Sequence, residues 1–387
     1  MRKIISFNKI DKIIASILLM LLIIFIPSPK LAIDVNNEQL EEQQSEFGIK
    51  DFIKSSQEYG GDFFEDIDIE EILNNAIQGK VDNSTLFKKI TNIFGKEIIS
   101  SLKTIGSILT IIVIHSILKS ISDSLENETI PKLIYYTEYI LIITIIMANF
   151  SEIVNVIKET TTSMVDFMNI LVPLLVTLMI YTGSIVTSGM IEPVILFMLN
   201  FVSNIIQNII IPLVLVFTSL VIISKLSDRI QIENLSKLLK SGITGFLGII
   251  LTIFVGILSL EGTISSGVDG MTSKTTKAIV SSAIPVVGKI LSDSVDTVLG
   301  CGIILKNAVG FVGIVVIIGI CIMPIIKLTT ITISYKLLSG IVEPIADKKI
   351  VDLLKQVGDI FKIFIAILTS LSFMLIIRYS TCFKNIK

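Results

Sequence analysis

Residues 191–223 read IEPVILFMLNFVSNIIQNIIIPLVLVFTSLVII, over thirty residues in which Glu192 is the single charge. About 20 apolar residues already cross the roughly 30 Å hydrocarbon core of a bilayer, so this run is too long for one tilted span. Gln207-Asn208 followed by Pro212 supplies a turn in its middle, and two membrane elements are expected here. Comparable apolar stretches lie at 102–118, 133–149, 164–182, 242–260, 301–320 and 357–377. Across the 387 residues 52% are hydrophobic and only 17% charged, which excludes a soluble domain. The fold class is therefore an all-α polytopic membrane protein, a helical bundle of about 8–10 membrane elements within the lipid bilayer.

The amino terminus sets the orientation. Arg2, Lys3, Lys9 and Lys12 precede the apolar stretch 13–26 and Pro27-Ser28-Pro29, the pattern of an export signal. Whether residues 1–30 are a cleaved signal peptide or a signal anchor stays open, because Lys30 spoils the nearest small-residue cleavage site. In both cases residue 31 onward is exported. Residues 31–80 hold thirteen Asp and Glu against three Lys, so 31–100 is an acidic extracytoplasmic segment. Phe47, Phe52, Phe63, Phe64, Ile67, Ile69, Ile72, Leu73 and Ile77 recur at intervals suited to short amphipathic helices. Residues 34–46 read as a linker, with too few large apolar groups to offset ordering entropy.

Charge orients the rest. Residues 224–240 carry Lys225, Arg229, Lys237 and Lys240, and residues 347–355 carry Lys348, Lys349 and Lys355, so both turns are expected on the cytoplasmic side. The basic tail 379–387, with Arg378 just before it, points to a cytoplasmic carboxyl terminus and conflicts with the alternation of spans.

A shift of about 112 residues aligns Pro173 with Pro285 and Pro212 with Pro324, and a shift of about 115 aligns Leu238-Leu239-Lys240 with Leu353-Leu354-Lys355. An internal parallel repeat follows, with two spans in 101–160, repeat 1 in 161–262 and repeat 2 in 263–378. Repeat 2 contains a polar element, 267–300. On a helix, Lys289, Asp293 and Asp296 stand at i, i+4 and i+7 on one face, joined by Ser282, while Pro285 and Gly288 permit a helix break. Two readings fit it: a charged face lining a water-filled conduit at membrane depth, or an amphipathic helix at the outer interface. Glu192-Pro193 and Glu343-Pro344 read as interfacial helix starts.

Catalytic and cofactor signals are absent from the pattern. Cys301, Cys321 and Cys382 are an odd number at unrelated spacings, so neither a disulfide framework nor a metal site is indicated. The single histidine, His115, reads as a span residue near the interface, a proton-transfer role being the lesser alternative. No Gly-x4-Gly-Lys-Ser/Thr loop and no His-Glu-x-x-His pair occurs, so no enzyme and no cofactor is expected. A net charge of −2 carries no nucleic-acid signature.

Through Val268-Asp269-Gly270-Met271-Thr272, Ile284-Pro285-Val286-Val287-Gly288, Leu291-Ser292-Asp293, Asp296-Thr297 and Leu305-Lys306-Asn307-Ala308-Val309-Gly310, the chain resembles the stage III sporulation protein AE family of endospore-forming bacteria. The resemblance implies a multi-pass subunit in the mother-cell membrane around the forespore. Its implied partners are other stage III sporulation membrane proteins of the same operon, a forespore membrane partner and a secretion-type cytoplasmic ATPase. The implied role is a channel or permease-like one that supports late forespore gene expression. A non-conducting scaffold and a stand-alone small-solute permease are the alternatives. The family supplies no catalytic residues to transfer.

Overall fold

The computed structural model describes residues 47–79, 84–122, 129–182, 188–189, 192–226, 234–235, 238–259 and 288–384. Two short helices open it, α1 (Ile49–Gly60) and α2 (Ile69–Ile77). They are followed by α3 (Ser84–Ser122), α4 (Thr129–Tyr181), α5 (Glu192–Ile205), α6 (Ile211–Leu226), α7 (Leu238–Ser259), α8 (Gly288–Val342) and α9 (Lys348–Lys384). Among the described residues six helical stretches are long and apolar enough to cross a membrane: α3, α4, α5 with α6, α7, α8 and α9.

Local chemistry sets the small helices. Asp68 caps α2, its carboxylate accepting the Glu70 N–H at 2.8 Å, and Glu70 and Glu71 place negative charge on the positive end of the helix dipole. Gly48, Gly61 and Gly79 take positive φ at the chain reversals around α1 and α2. The apolar faces expected in this segment are present: Ile49 and Phe52 of α1, Phe63 and Phe64, and Ile69 and Leu73 of α2 are buried. They do not form a core of their own. Phe52 meets Phe167 of α4, and Phe63 and Phe64 lie over Gly319 of α8, where a Cβ would stand 2.8 Å from the Phe63 ring. The segment is thus part of the bundle, docked through a glycine that lets two aromatic rings approach the α8 backbone.

Helices α8 and α9 form the buried centre, and α3, α4, α5, α6 and α7 sheathe them. The sheath turns apolar groups outward, among them Ile99, Leu102, Ile117, Leu133, Ile140, Phe197, Val216, Ile249 and Ile253. An outward apolar surface on every sheath helix is what a bilayer requires.

Several expected breaks are replaced by continuous helix. The stretches 133–149 and 164–182 belong to one helix, and the helix holding 301–320 runs on to Val342, so α4 has 53 residues and α8 has 55. At 1.5 Å per residue each is about 80 Å long, more than twice the hydrocarbon thickness. Gln207-Asn208 makes no turn: Ile206–Ile210 is a π-helical turn between α5 and α6. Its polar side chains find partners without leaving the helix, Gln207 donating to Thr162 Oγ1 at 3.1 Å and Asn208 to Asn204 Oδ1 at 3.2 Å. The wider turn also accommodates Pro212, which lacks an N–H, immediately downstream. Similarly, 84–100 is helical and continuous with the apolar stretch 102–118 in α3.

Successive long helices run in alternate directions. The adjoining ends of α4, α6, α7 and α9 meet, where Tyr135 of α4 donates to the Lys225 carbonyl, Lys225 lies 3.8 Å from Asp352, and Lys240 lies 3.8 Å from Asp359. Lys225, Lys240 and the start of α9 therefore share one end, the basic end. Toward the other end, Phe47 packs edge-on against Tyr181, so the acidic segment sits away from the basic turns.

Candidate functional site

Among the described residues several polar groupings interrupt the apolar bundle, and three of them bear on function. The first is at the basic end. His115, near the end of α3, and Glu138, near the start of α4, are both 3% exposed, and Asp347 enters from the α8–α9 turn. His115 Nδ1 lies 2.8 Å from Glu138 Oε2, and Nε2 lies 3.5 Å from Asp347 Oδ2. Lys119, one helical turn beyond His115, holds Asp347 Oδ1 at 2.5 Å. Neither His115 nitrogen and neither Glu138 oxygen makes a hydrogen bond of acceptable geometry. One donor atom from each of His115, Glu138 and Asp347 falls within 4.8 Å of the others. Sequence spacing could not reveal this trio, since its members come from three elements far apart in the chain.

The second grouping lies near the other end. Arg378 of α9 and Glu192 at the start of α5 are both 2% exposed and pair through two contacts, Nη2 to Oε1 and Nε to Oε2, the latter at 3.3 Å. Glu192-Pro193 does begin a helix, as expected, yet its carboxylate faces the bundle rather than an interface. Arg378 is accordingly not a solvated tail charge. Its cationic group is held by Glu192, which removes it from the argument for a cytoplasmic carboxyl terminus; α9 itself runs away from the basic end.

The third is a polar seam between α4 and α5. Glu152, Asn155, Glu159, Thr162 and Asn169 follow one another on the exposed side of α4. Asn200 donates to Asn169 Oδ1 at 3.3 Å, and Gln207 reaches both Thr162 and Ser203. Lys327 of α8 closes one end on Glu152 at 2.5 Å. Around Asn200, α5 turns the stacked rings of Phe197 and Phe201 outward, so the seam borders an apolar outer surface on this helix.

Of the residues singled out in the polar element, Ser282 and Pro285 lie outside the described residues. Lys289, Asp293 and Asp296 fall in the first turns of α8, whose backbone is helical there, and Gly288 is its first residue. Cys301 and Cys321 are buried free thiols, Cys321 Sγ lying 3.7 Å from Met164 Sδ. Among the described residues, the seam and the His115 cluster are what the sequence reading missed. A polar periodicity along 152–169 was available to find the seam, but it was hidden by treating 133–149 and 164–182 as separate spans.

A family model described as "Stage III sporulation protein AE" matches residues 67–383. A curated relative named stage III sporulation protein AE, from Bacillus subtilis (strain 168), is 31% identical over 281 residues, covering 72% of this chain and 70% of the relative. No solved structure matches. With a family match over most of the chain and, among the described residues, six helices long and apolar enough to span a bilayer, this chain is a multi-pass membrane protein belonging to the stage III sporulation protein AE family.

Proposed function

We propose that the protein is a channel or permease-like subunit of a multi-protein complex joining mother cell and forespore, resident in the mother-cell membrane around the forespore and needed for late forespore gene expression. The observation that carries this reading is the α4–α5 seam. A row of amides, hydroxyls and carboxylates between two apolar helices is costly against lipid and is retained where it borders water or a polar partner. In this reading Lys289, Asp293, Asp296 and Ser282 add a second polar wall, Pro285 and Gly288 form the break before it, and energy comes from a secretion-type ATPase on the side of the basic turns.

The test replaces Asn155, Thr162 and Asn169 with Leu, and separately Asp293 and Asp296 with Asn. Retained co-purification of the partner proteins together with lost forespore reporter expression supports a conduit. Normal sporulation of both variant sets would sink it. A non-conducting scaffold predicts instead that expression falls only when co-purification does.

A further inference from the structure

We propose that His115, Glu138 and Asp347 form a binding site for one divalent transition-metal ion at the basic end of the bundle. The cluster departs from the sequence expectation of no metal, and two independent observations support it. The first is convergence: one imidazole and two carboxylates, from α3, α4 and the α8–α9 turn, bring their donor atoms within 4.8 Å of one another. The second is that the two innermost members touch their neighbours without well-directed hydrogen bonds. Four polar atoms of His115 and Glu138 are buried without a hydrogen bond.

Geometry separates a metal site from a simple relay of hydrogen bonds. A His held between two carboxylates by hydrogen bonds would direct each N–H at its oxygen. Here Nδ1 approaches Glu138 Oε2 to 2.8 Å without the required angle. Neighbouring donors around an ion with bonds of about 2.1 Å stand roughly 3 Å apart and point at a common centre rather than at each other. Charge argues the same way. The ionisable groups facing one another are His115, Glu138, Asp347 and Lys119, and Lys119 is already engaged by Asp347. The buried Glu138 carboxylate has His115 as its one neighbour able to carry positive charge, and buried carboxylates are paired or ligate metals.

The donor set selects the ion. An imidazole with two carboxylates suits Zn²⁺, Mn²⁺ or Fe²⁺ rather than Mg²⁺ or Ca²⁺. Asp347 is 30% exposed and Lys119 is 41% exposed, so the site opens to the aqueous side at this end. Binding moves the Lys119 ammonium off Asp347 and into water, which makes Lys119 an internal competitor of the metal.

The full chain in detergent, dialysed free of metal, is titrated with Zn²⁺ by equilibrium dialysis with elemental analysis. One Zn²⁺ per chain is expected, resisting about a hundredfold excess of Mg²⁺. His115→Ala and Glu138→Gln should each weaken binding by more than about tenfold, and Lys119→Gln should tighten it. Absence of Zn²⁺ binding by the unaltered chain, or binding unchanged by His115→Ala and Glu138→Gln, overturns the proposal. If those two variants do not fold, Lys119→Gln decides: unchanged or weaker Zn²⁺ binding overturns it as well.

Discussion

Replacing Glu192 with Gln takes from the Arg378 guanidinium, 2% exposed, the carboxylate that pairs with it. Both partners are buried and joined by two contacts, so breaking the pair is expected to cost about 3–5 kcal/mol. Arg378→Gln strands the carboxylate and should cost about the same. Removing both charges is different. A Glu192→Leu/Arg378→Met double variant replaces the pair with apolar groups and is expected to recover most of the loss, because apolar replacement of a buried pair is often neutral. The assay is thermal denaturation of the detergent-purified chain, with cellular abundance as a second readout, and the single variants Glu192→Leu and Arg378→Met close a double-mutant cycle that apportions the coupling. Single variants as stable as the parent, or a double variant as unstable as the two losses combined, would refute the reasoning. A double variant that is stable but does not support sporulation would assign the charges a functional part.

Gly319→Leu should undock the α1–α2 segment, since any side chain there meets the Phe63 and Phe64 rings; the cost is about 1–3 kcal/mol, read as faster proteolysis in the segment that precedes α3. Tyr139→Phe removes the hydroxyl that α4 donates to the Ile222 carbonyl of α6, and a loss of about 1 kcal/mol in denaturation midpoint experiments is expected. Asn200→Leu breaks the contact to Asn169 across the seam without touching the α8–α9 core, so stability should change little while forespore reporter expression falls. Stripping divalent metal should lower the melting temperature of the parent chain and leave His115→Ala unmoved.

Hydropathy made the class of fold legible, because runs such as 191–223 have no home outside a bilayer or a large buried core. Helix ends were less legible. Breaks were assigned wherever polar residues interrupted a run, but Ser151, Glu152 and Asn155 interrupt hydropathy without interrupting α4, and a helix interior tolerates polar groups that face a polar partner. The π-turn at Ile206–Ile210 is a further case, since a polar pair before a proline resembles a turn from composition alone. The charge reading did better where charges are solvated. Lys225 and Lys240 meet the acidic side chains of α9 at one end, as two turns on the same side require. It misled at Arg378, where tertiary pairing with a residue far away in sequence cancels the topological meaning of the charge. His115, Glu138 and Asp347 were invisible for the same reason: each is ordinary in its own neighbourhood, and only the meeting of three elements gives them chemistry.

The central claim is that polar surfaces within this bundle border water. Single cysteines at Asn155, Thr162, Asn169 and Asn200, and across Lys289 to Asp296, in a background without Cys301, Cys321 and Cys382, can be probed in membranes with a charged, impermeant thiol reagent. The account predicts labelling along the seam from the aqueous phase, with cysteines at Ile140 and Phe197 on the outward apolar faces protected. Seam positions as protected as Ile140 and Phe197 would contradict it.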